Sequence, residues 1–274
     1  SYSFIVFFMI RSISFGLSSA ITAHVGNSLG KHKEKLAKIF VINGITYIAI
    51  VSIILSTLGY IFLEDIFSII GAKNESLQLS LEYTNIILIG TVPMLLGLGA
   101  NAVLIAKGDT KSYRNTLIFG FFLNLFLNPI FIYGFAFIPS FGFAGVAYAT
   151  VFIQFITALY IFIKLYQTKL FNFEVPKMFM PNIRVYKQLS TQAIPMSISM
   201  FVMSLGTMII MYFVSFYGYK TVAAFGIGYR VEQIILLPML GLNTAVSAIV
   251  ANNYGAKNFD RIYKVIHKSL KYGY

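Results

Sequence analysis

GLSSAITAHVGNSLG, residues 16–30, is nearly repeated by GLNTAVSAIVANNYG, residues 241–255. Seven residues recur in register: Gly16/Gly241, Leu17/Leu242, Ala20/Ala245, Ala23/Ala248, Val25/Val250, Asn27/Asn252 and Gly30/Gly255. Each copy closes an apolar run and leads into a basic segment, KHKEKLAK after the first and AKNFDRIYK after the second. The offset of 225 residues is far longer than a solenoid unit of roughly 20–50 residues. It fits half of a duplicated membrane protein. An odd number of spans between equivalent positions marks an inverted repeat, and an even number a parallel one. The spans therefore have to be counted.

Composition sets the class. The chain has 274 residues, 58% hydrophobic and 11% charged, with a mean hydropathy of +0.78. A soluble domain carries about 25% charged residues, so this is an all-α polytopic membrane protein with the lipid bilayer as its solvent. The net charge of +12 reads as a basic membrane face and not as a nucleic-acid surface. There are no cysteines, which removes disulfides and Cys-based chemistry. Residues 1–29 resemble a span without the basic n-region of a signal peptide. A start at Ser1 and an end in Gly-Tyr are expected of a piece truncated at both ends.

The first span covers residues 1–29, interrupted by Arg11, and a basic loop follows. Ile39 to Leu63 carries no charge and makes a second span. LEDIFSIIGAKNESLQLSLE, residues 63–82, has helical periodicity with acids, which predicts a surface helix at the interface. The third span runs from Tyr83 to Ala106 with Pro93 inside it. Asn115 to Ile163 is too long for one helix, and FAFIPSFGF splits it into 115–136 and 143–166. Gln167 to Gln188, with Pro176 and Pro181, is the expected linker between halves. Leu189 to Phe216 and 222–254 are spans six and seven. Residues 257–274 form a basic amphipathic start to an eighth.

Alternate loops hold Lys31, Lys33, Lys35 and Lys38; Lys107, Lys111 and Arg114; Lys164, Lys169, Lys177, Arg184 and Lys187; and Lys257, Arg261, Lys264, Lys268 and Lys271. These are seventeen of the 21 basic residues, while the other loops hold only Lys73 and Lys220. The positive-inside rule puts the seventeen in the cytoplasm, on a multi-pass protein of the inner membrane. Spans one and seven then run the same way, six apart. The repeat is parallel, and 1–29 is expected to superpose on 226–254 about an axis near the membrane normal. Completing it gives twelve spans and roughly 450 residues.

Asn124 and Asn128 share one helix face, as do Thr150 and Gln154 on the next helix, and Asn101 lies on the third span. Such amides and hydroxyls suit a hard monovalent cation or a network around a protonatable carboxylate. Each taken singly is also suited to gluing helices, at about 0.6 kcal/mol. Arg230 and Glu232 fall near the middle of span seven, where a charge costs roughly 2.5–3.5 kcal/mol. They are two apart and do not face each other, so each needs a partner on another helix or a wet cavity. Arg11 is shallower and reads as structural, able to snorkel outward. His24, among Ser18, Ser19 and Thr22, reads as a satisfied packing histidine. Met196, Met200, Met203, Met208 and Met211 crowd span six; Met suits both adaptable binding surfaces and plain apolar filling.

Five stretches carry a resemblance: GLSSAITAHVGNSLG; IAKGDTKSYRNT; NLFLNPIFIYG with GFAGVAYATVFIQ; QAIPMSISMF; and GYRVEQIILLPMLGLNTAVSAIVANNYGA. In this order they are similar to the multidrug and toxic compound extrusion (MATE) family, over essentially the whole chain. The resemblance implies a two-lobed helix bundle, here its helices two to eight. Residues 1–166 would be the first lobe, 167–188 a cytoplasmic linker, and 189–274 the start of the second. It implies an H⁺- or Na⁺-coupled antiporter of organic, cationic compounds, a monomer that is no enzyme and has no cofactor. Asn124, Asn128 and Thr150 would couple the ion, Na⁺ being the one metal considered. Asn101, Gln154, Met200, Arg230 and Glu232 would border the substrate cleft. Asn128 stands where the family often has Asp, which lowers the charge of the site. The alternatives are a lipid-linked oligosaccharide flippase of the same superfamily, which calls for more intramembrane basic residues, and a polytopic membrane enzyme, which calls for clustered His, Asp or Glu.

Overall fold

A backbone in hydrocarbon has no water to bond, so long uncharged stretches satisfy their own amides as helices. The computed structural model, which describes residues 3–69, 74–135, 139–171 and 181–273, contains eight. They are α1 (Ser3–Gly30), α2 (Glu34–Ile69), α3 (Asn74–Ala106), α4 (Lys111–Tyr133), α5 (Ala144–Gln167), α6 (Ile183–Ser215), α7 (Tyr219–Gly255) and α8 (Phe259–Gly273). Seven helices are long and apolar enough to cross a membrane. The short α8 is amphipathic instead, with Phe259, Ile262, Ile266 and Leu270 along one side.

Contacts fix the direction of each helix. His24 stacks on Phe40 with ring centroids 4.6 Å apart, and Gly44 lies against Ile21, so α1 and α2 are antiparallel. Ser56 Oγ donates to the Leu88 carbonyl at 2.7 Å while Gly99 lies against Ile48, which turns α3 back again. Gly90 meets Val151 and Gly97 meets Ala158, making α3 and α5 parallel. Gly120 meets Ile153 and Gly145 meets the Phe131 backbone, so α4 runs against α5. Gly16 meets Ala193, and the Ser197 hydroxyl points to the Ile13 carbonyl at 3.5 Å; α6 is antiparallel to α1. Gly26 meets Ala251 and Gly30 meets Asn252 and Ala256. Hence α7 runs parallel to α1, in the register set by the repeat.

Helices α1, α3 and α7 end in the same turn. The amides of Lys31, His32 and Lys33 bond the carbonyls of Asn27, Leu29 and Ser28, and those of Ala256, Lys257 and Asn258 bond Asn252, Tyr254 and Asn253. The set after α3 is Lys107 to Val103, Gly108 to Ile105 and Asp109 to Leu104. Each turn needs a left-handed residue: His32 at φ 55°, Lys257 at 57° and Gly108 at 87°. Lys169 after α5 adopts φ 60°, whereas among the described residues the left-handed ones at the opposite ends are Gly134, Gly142 and Gly218.

The expected surface helix over 63–82 does not form. Instead α2 continues upright through Glu64 and Asp65 to Ile69, and α3 already starts at Asn74. Leu63 and Phe67 are fully buried, so the periodic apolar residues face the bundle and not the headgroups. A helical period is the same for a helix that lies flat and for one that stands and overruns the membrane. The linker is also shorter than expected. Asn182 caps α6 by accepting from the amides of Arg184 and Val185 at 3.1 and 3.3 Å, and its own amide donates to Asn43 Oδ1 at 3.1 Å. The expected linker residues Pro176 and Lys177, like Lys73, lie outside the described residues.

Asp109 holds the start of α4. Its Oδ1 accepts from the Ser112 amide at 3.0 Å and its Oδ2 from the Ser112 hydroxyl at 2.6 Å. Partial burial alone would raise its pKa, but the Ser112 bonds, the Lys111 amide and the Lys164 charge together hold it below the ordinary 3.8. A depressed carboxylate pKa stabilises the fold above the unfolded value and loses that contribution as pH falls through the folded one. We expect Asp109→Ala to cost about 1 kcal/mol at neutral pH. Thermal melts between neutral and acid pH should show wild type approaching the variant in acid.

Candidate functional site

Helices α4 and α5 form a hairpin whose facing stripes can be read from its contacts. On α4 the stripe holds Gly120, which meets Ile153, and Phe131, which meets Gly145. Asn124 and Asn128 lie between them on the same stripe, both half-buried, while Phe121, Phe122, Leu125 and Phe126 face outward. On α5, Ile153 and Thr157 meet Gly120, and Thr150 continues that stripe one turn away. The antiparallel register puts Thr150 at a depth between Asn124 and Asn128. The three residues singled out as ion-coupling therefore share one level on facing helices.

The bonds among them are partial. Asn128 Nδ2 donates to Asn124 Oδ1 at 2.7 Å, and the Thr150 hydroxyl turns back to the Val146 carbonyl at 2.8 Å. Asn128 Oδ1 is buried without a hydrogen-bond partner. An uncompensated amide oxygen in an apolar bundle is costly, so this atom is the open acceptor of the group.

The MatE family model matches residues 1–130 and 195–274, which hold α1 to α3, nearly all of α4, most of α6, and all of α7 and α8. The chain belongs to the MATE family. Its fold agrees with solved members. It superposes with a TM-score of 0.89 on a MOP superfamily transporter from Pyrococcus furiosus, 24% identical, covering 98% of this chain and 59% of that one. An outward-facing multidrug resistance MATE transporter of the same superfamily gives 0.87, also at 24% identity, covering 98% and 59%. Among curated proteins, the probable multidrug resistance protein YoeA of Bacillus subtilis is 29% identical over 279 residues, covering 99% of this chain and 59% of that protein. The FAD transporter of Shewanella oneidensis is 29% identical as well, covering 99% and 60%. The chain thus spans about three-fifths of the curated relatives it matches.

The other candidate residues of this MATE chain are spread out. Gln154 lies on the stripe of α5 that faces α3: its Nε2 points to Met94 Sδ at 3.6 Å, and its Oε1 is buried and unpartnered. Beside it an apolar groove of about 420 Å³ is lined by residues of α3, α4 and α5, among them Ile89, Pro93, Phe131, Val151, Phe152 and Phe155. Asn101 is buried, also with a free Oδ1. Since Gly97 meets Ala158, Asn101 sits level with residue 162, about 18 Å along the axis from Thr150 at 1.5 Å per residue. The structure does not gather it with the α4–α5 group. Met200 is half-buried on α6, and Glu232 is exposed on α7. The side chain of Arg230 lies outside the described residues. Among the described residues no group of His, Cys, Asp or Glu could hold a metal ion.

Two further assignments can be compared with the structure. Arg11 is exposed and covers the Phe7 ring at 5.6 Å. His24 packs as expected against Phe40, but its Nε2 is buried without a partner. Thr84 and Asn85 of α3, not among the residues expected from the sequence, have a buried, unbonded Oγ1 and Oδ1. The available signal was the one used for Asn101, a polar residue in a span without charges.

Gly90 sets the spacing at this level, since a Cβ there would stand 2.6 Å from Val151 Cγ2 and 2.7 Å from Gln154 Oε1. We expect Gly90→Leu to destabilise the protein by about 1–3 kcal/mol through overpacking. Gly206→Leu, where nothing lies within 4 Å, is the comparison, and melting temperatures in detergent measure both.

Proposed function

We propose that the full-length protein is an ion-coupled exporter of organic, cationic compounds. In this reading residues 1–166 belong to one lobe, the chain crosses between lobes in the cytoplasm ahead of α6, and α6 (Ile183–Ser215) opens the second. The lobes are related by a twofold along the membrane normal. The repeated sequence at the ends of α1 and α7, and the reciprocal contact of those helices, support that relation. Sixteen of the seventeen basic residues lie in the described structure, at the turns on one end of the bundle and along α8, and they support the placement of that end in the cytoplasm.

The observation that carries the mechanism is the half-satisfied group of Asn124, Asn128 and Thr150 inside a family of multispan transporters. Asn124 Oδ1 is engaged by Asn128 while Asn128 Oδ1 remains open. A Na⁺ ion, or a proton held by a carboxylate from another helix, would complete the set with oxygen ligands. Its binding favours one arrangement of the lobes by its differential affinity for the two. Substrate enters the cleft bordered by Asn101, Gln154, Met200, Arg230 and Glu232. The protein acts as a monomer, with no cofactor beyond the coupling ion.

A second reading is export of an anionic, flavin-like compound. It is favoured by equal identity to the Shewanella FAD transporter and to the Bacillus multidrug protein. Efflux of a quaternary ammonium dye against efflux of a flavin nucleotide, from vesicles carrying the full-length protein, separates the two.

In the full-length protein Asn124→Leu is expected to abolish ion-driven efflux with abundance near normal, because Leu inserts at least as well as Asn. A gluing role predicts instead a modest loss of melting temperature with transport kept. Efflux under an imposed proton or Na⁺ gradient, measured beside the melt, decides it, and normal efflux would remove the coupling assignment.

A further inference from the structure

The repeated motif ends in residues that the coupling site does not use, and the two copies meet there. A Cβ on Gly30 would collide with the carbonyl of Asn252, and one on Gly255 with the carbonyl of Asn27. Gly30 is the counterpart of Gly255, and Asn27 of Asn252, so each half offers a glycine to the other half's asparagine backbone. Gly26 adds a third close approach, to Ala251 and to Asn252 Nδ2. Such reciprocity is the mark of a contact about a twofold. On the earlier turns of α7, nothing lies within 4 Å of a Cβ on Gly226, Gly228 or Gly241.

One side chain ties this contact to a third helix. Asn252 Nδ2 donates to the Ala106 carbonyl, at the end of α3, at 2.9 Å, and to its own Ala248 carbonyl at 3.0 Å. The equivalent Asn27 has a buried Oδ1 with no partner. The bond to Ala106 uses a carbonyl in the last turn of α3, where intrahelical donors run out.

We infer that Gly30, Gly255, Asn27 and Asn252 form a clasp that holds the two halves together at the basic end of the bundle. Opening the cleft toward that end requires these backbones to separate and the bond from Asn252 to Ala106 to break. The clasp sets how much of the protein is closed at the basic end before any ligand binds, because packed interfaces switch between discrete arrangements. Glycine is required because even one methyl group overlaps backbone, which cannot rotate away as a side chain could. The inference rests on the two-lobed transport reading for its role in the cycle. Its test does not depend on the choice of ion or substrate.

The experiment uses the full-length protein in nanodiscs, spin-labelled at His32→Cys and Lys257→Cys, the equivalent residues of the two turns. Gly30→Ala and Gly255→Ala should each remove most of the short-distance population, and Gly30→Leu nearly all of it. Asn252→Ala should give a smaller shift in the same direction, and Gly206→Ala none. Wild-type distances in the glycine variants at wild-type melting temperature would overturn the clasp. Should those variants fail to fold, Asn252→Ala decides alone, and an unchanged distribution there overturns it too. A shifted distribution with Asn124→Leu still transporting normally would keep the clasp and remove only the ion assignment.

Discussion

The Phe131 carbonyl oxygen stands 2.5 Å from the place where Gly145 would carry a Cβ. The same close approach recurs where Gly16 meets Ala193, Gly97 meets Ala158, Gly26 meets Ala251 and Gly30 meets Asn252. In hydrocarbon there is no hydrophobic gain from pressing one apolar helix on another. Attraction comes from dispersion at short range and from hydrogen bonds. Small residues bring backbones within that range, and every helix pairing that positions the polar group passes through at least one of them. Larger residues at these positions would leave the spans intact and the bundle without its registers.

Helix α3 shows the second source of attraction. Its carbonyls receive side chains from three other helices: Ser56 of α2 at Leu88, Thr22 of α1 at Ala102 (3.1 Å) and Asn252 of α7 at Ala106. Polar residues of this kind are cheap while the helix inserts and specific once it docks. Four other buried amide oxygens, on Asn128, Gln154, Asn101 and Asn85, are acceptors that find no donor. They lie at different levels along the bundle.

Seven spans, their alternation and the parallel sense of α1 and α7 were legible because length, charge and repetition are one-dimensional quantities. The acidic stretch 63–82 was not, since burial of Leu63 and Phe67 depends on which neighbour they meet. The same limit applies to the amides. Spacing of four shows that Thr150 and Gln154 share a helix face. The structure points the first toward α4 and the second toward α3, a difference of a fraction of a turn. Asn101 shares the chemistry of the group yet lies on another level, because depth follows from helix register and not from residue type. Thr84 and Asn85 were missed for a related reason: a polar residue near a span end looks ordinary until its surroundings are seen.

Among the described residues, three of the four left-handed turn positions at the basic end are His32, Lys169 and Lys257, and the three at the other end are Gly134, Gly142 and Gly218. A side chain in that conformation costs roughly 1–2 kcal/mol relative to glycine. The turns that stay with the positive residues thus retain strain that glycine would relieve. At Lys169 and Lys257 the strained residue is itself the cation, and His32 lies between Lys31 and Lys33, at span ends where charge governs how a nascent chain threads through the bilayer. Local folding energy is here spent on topology: these turns are less comfortable than they could be, and the chain is harder to insert upside down.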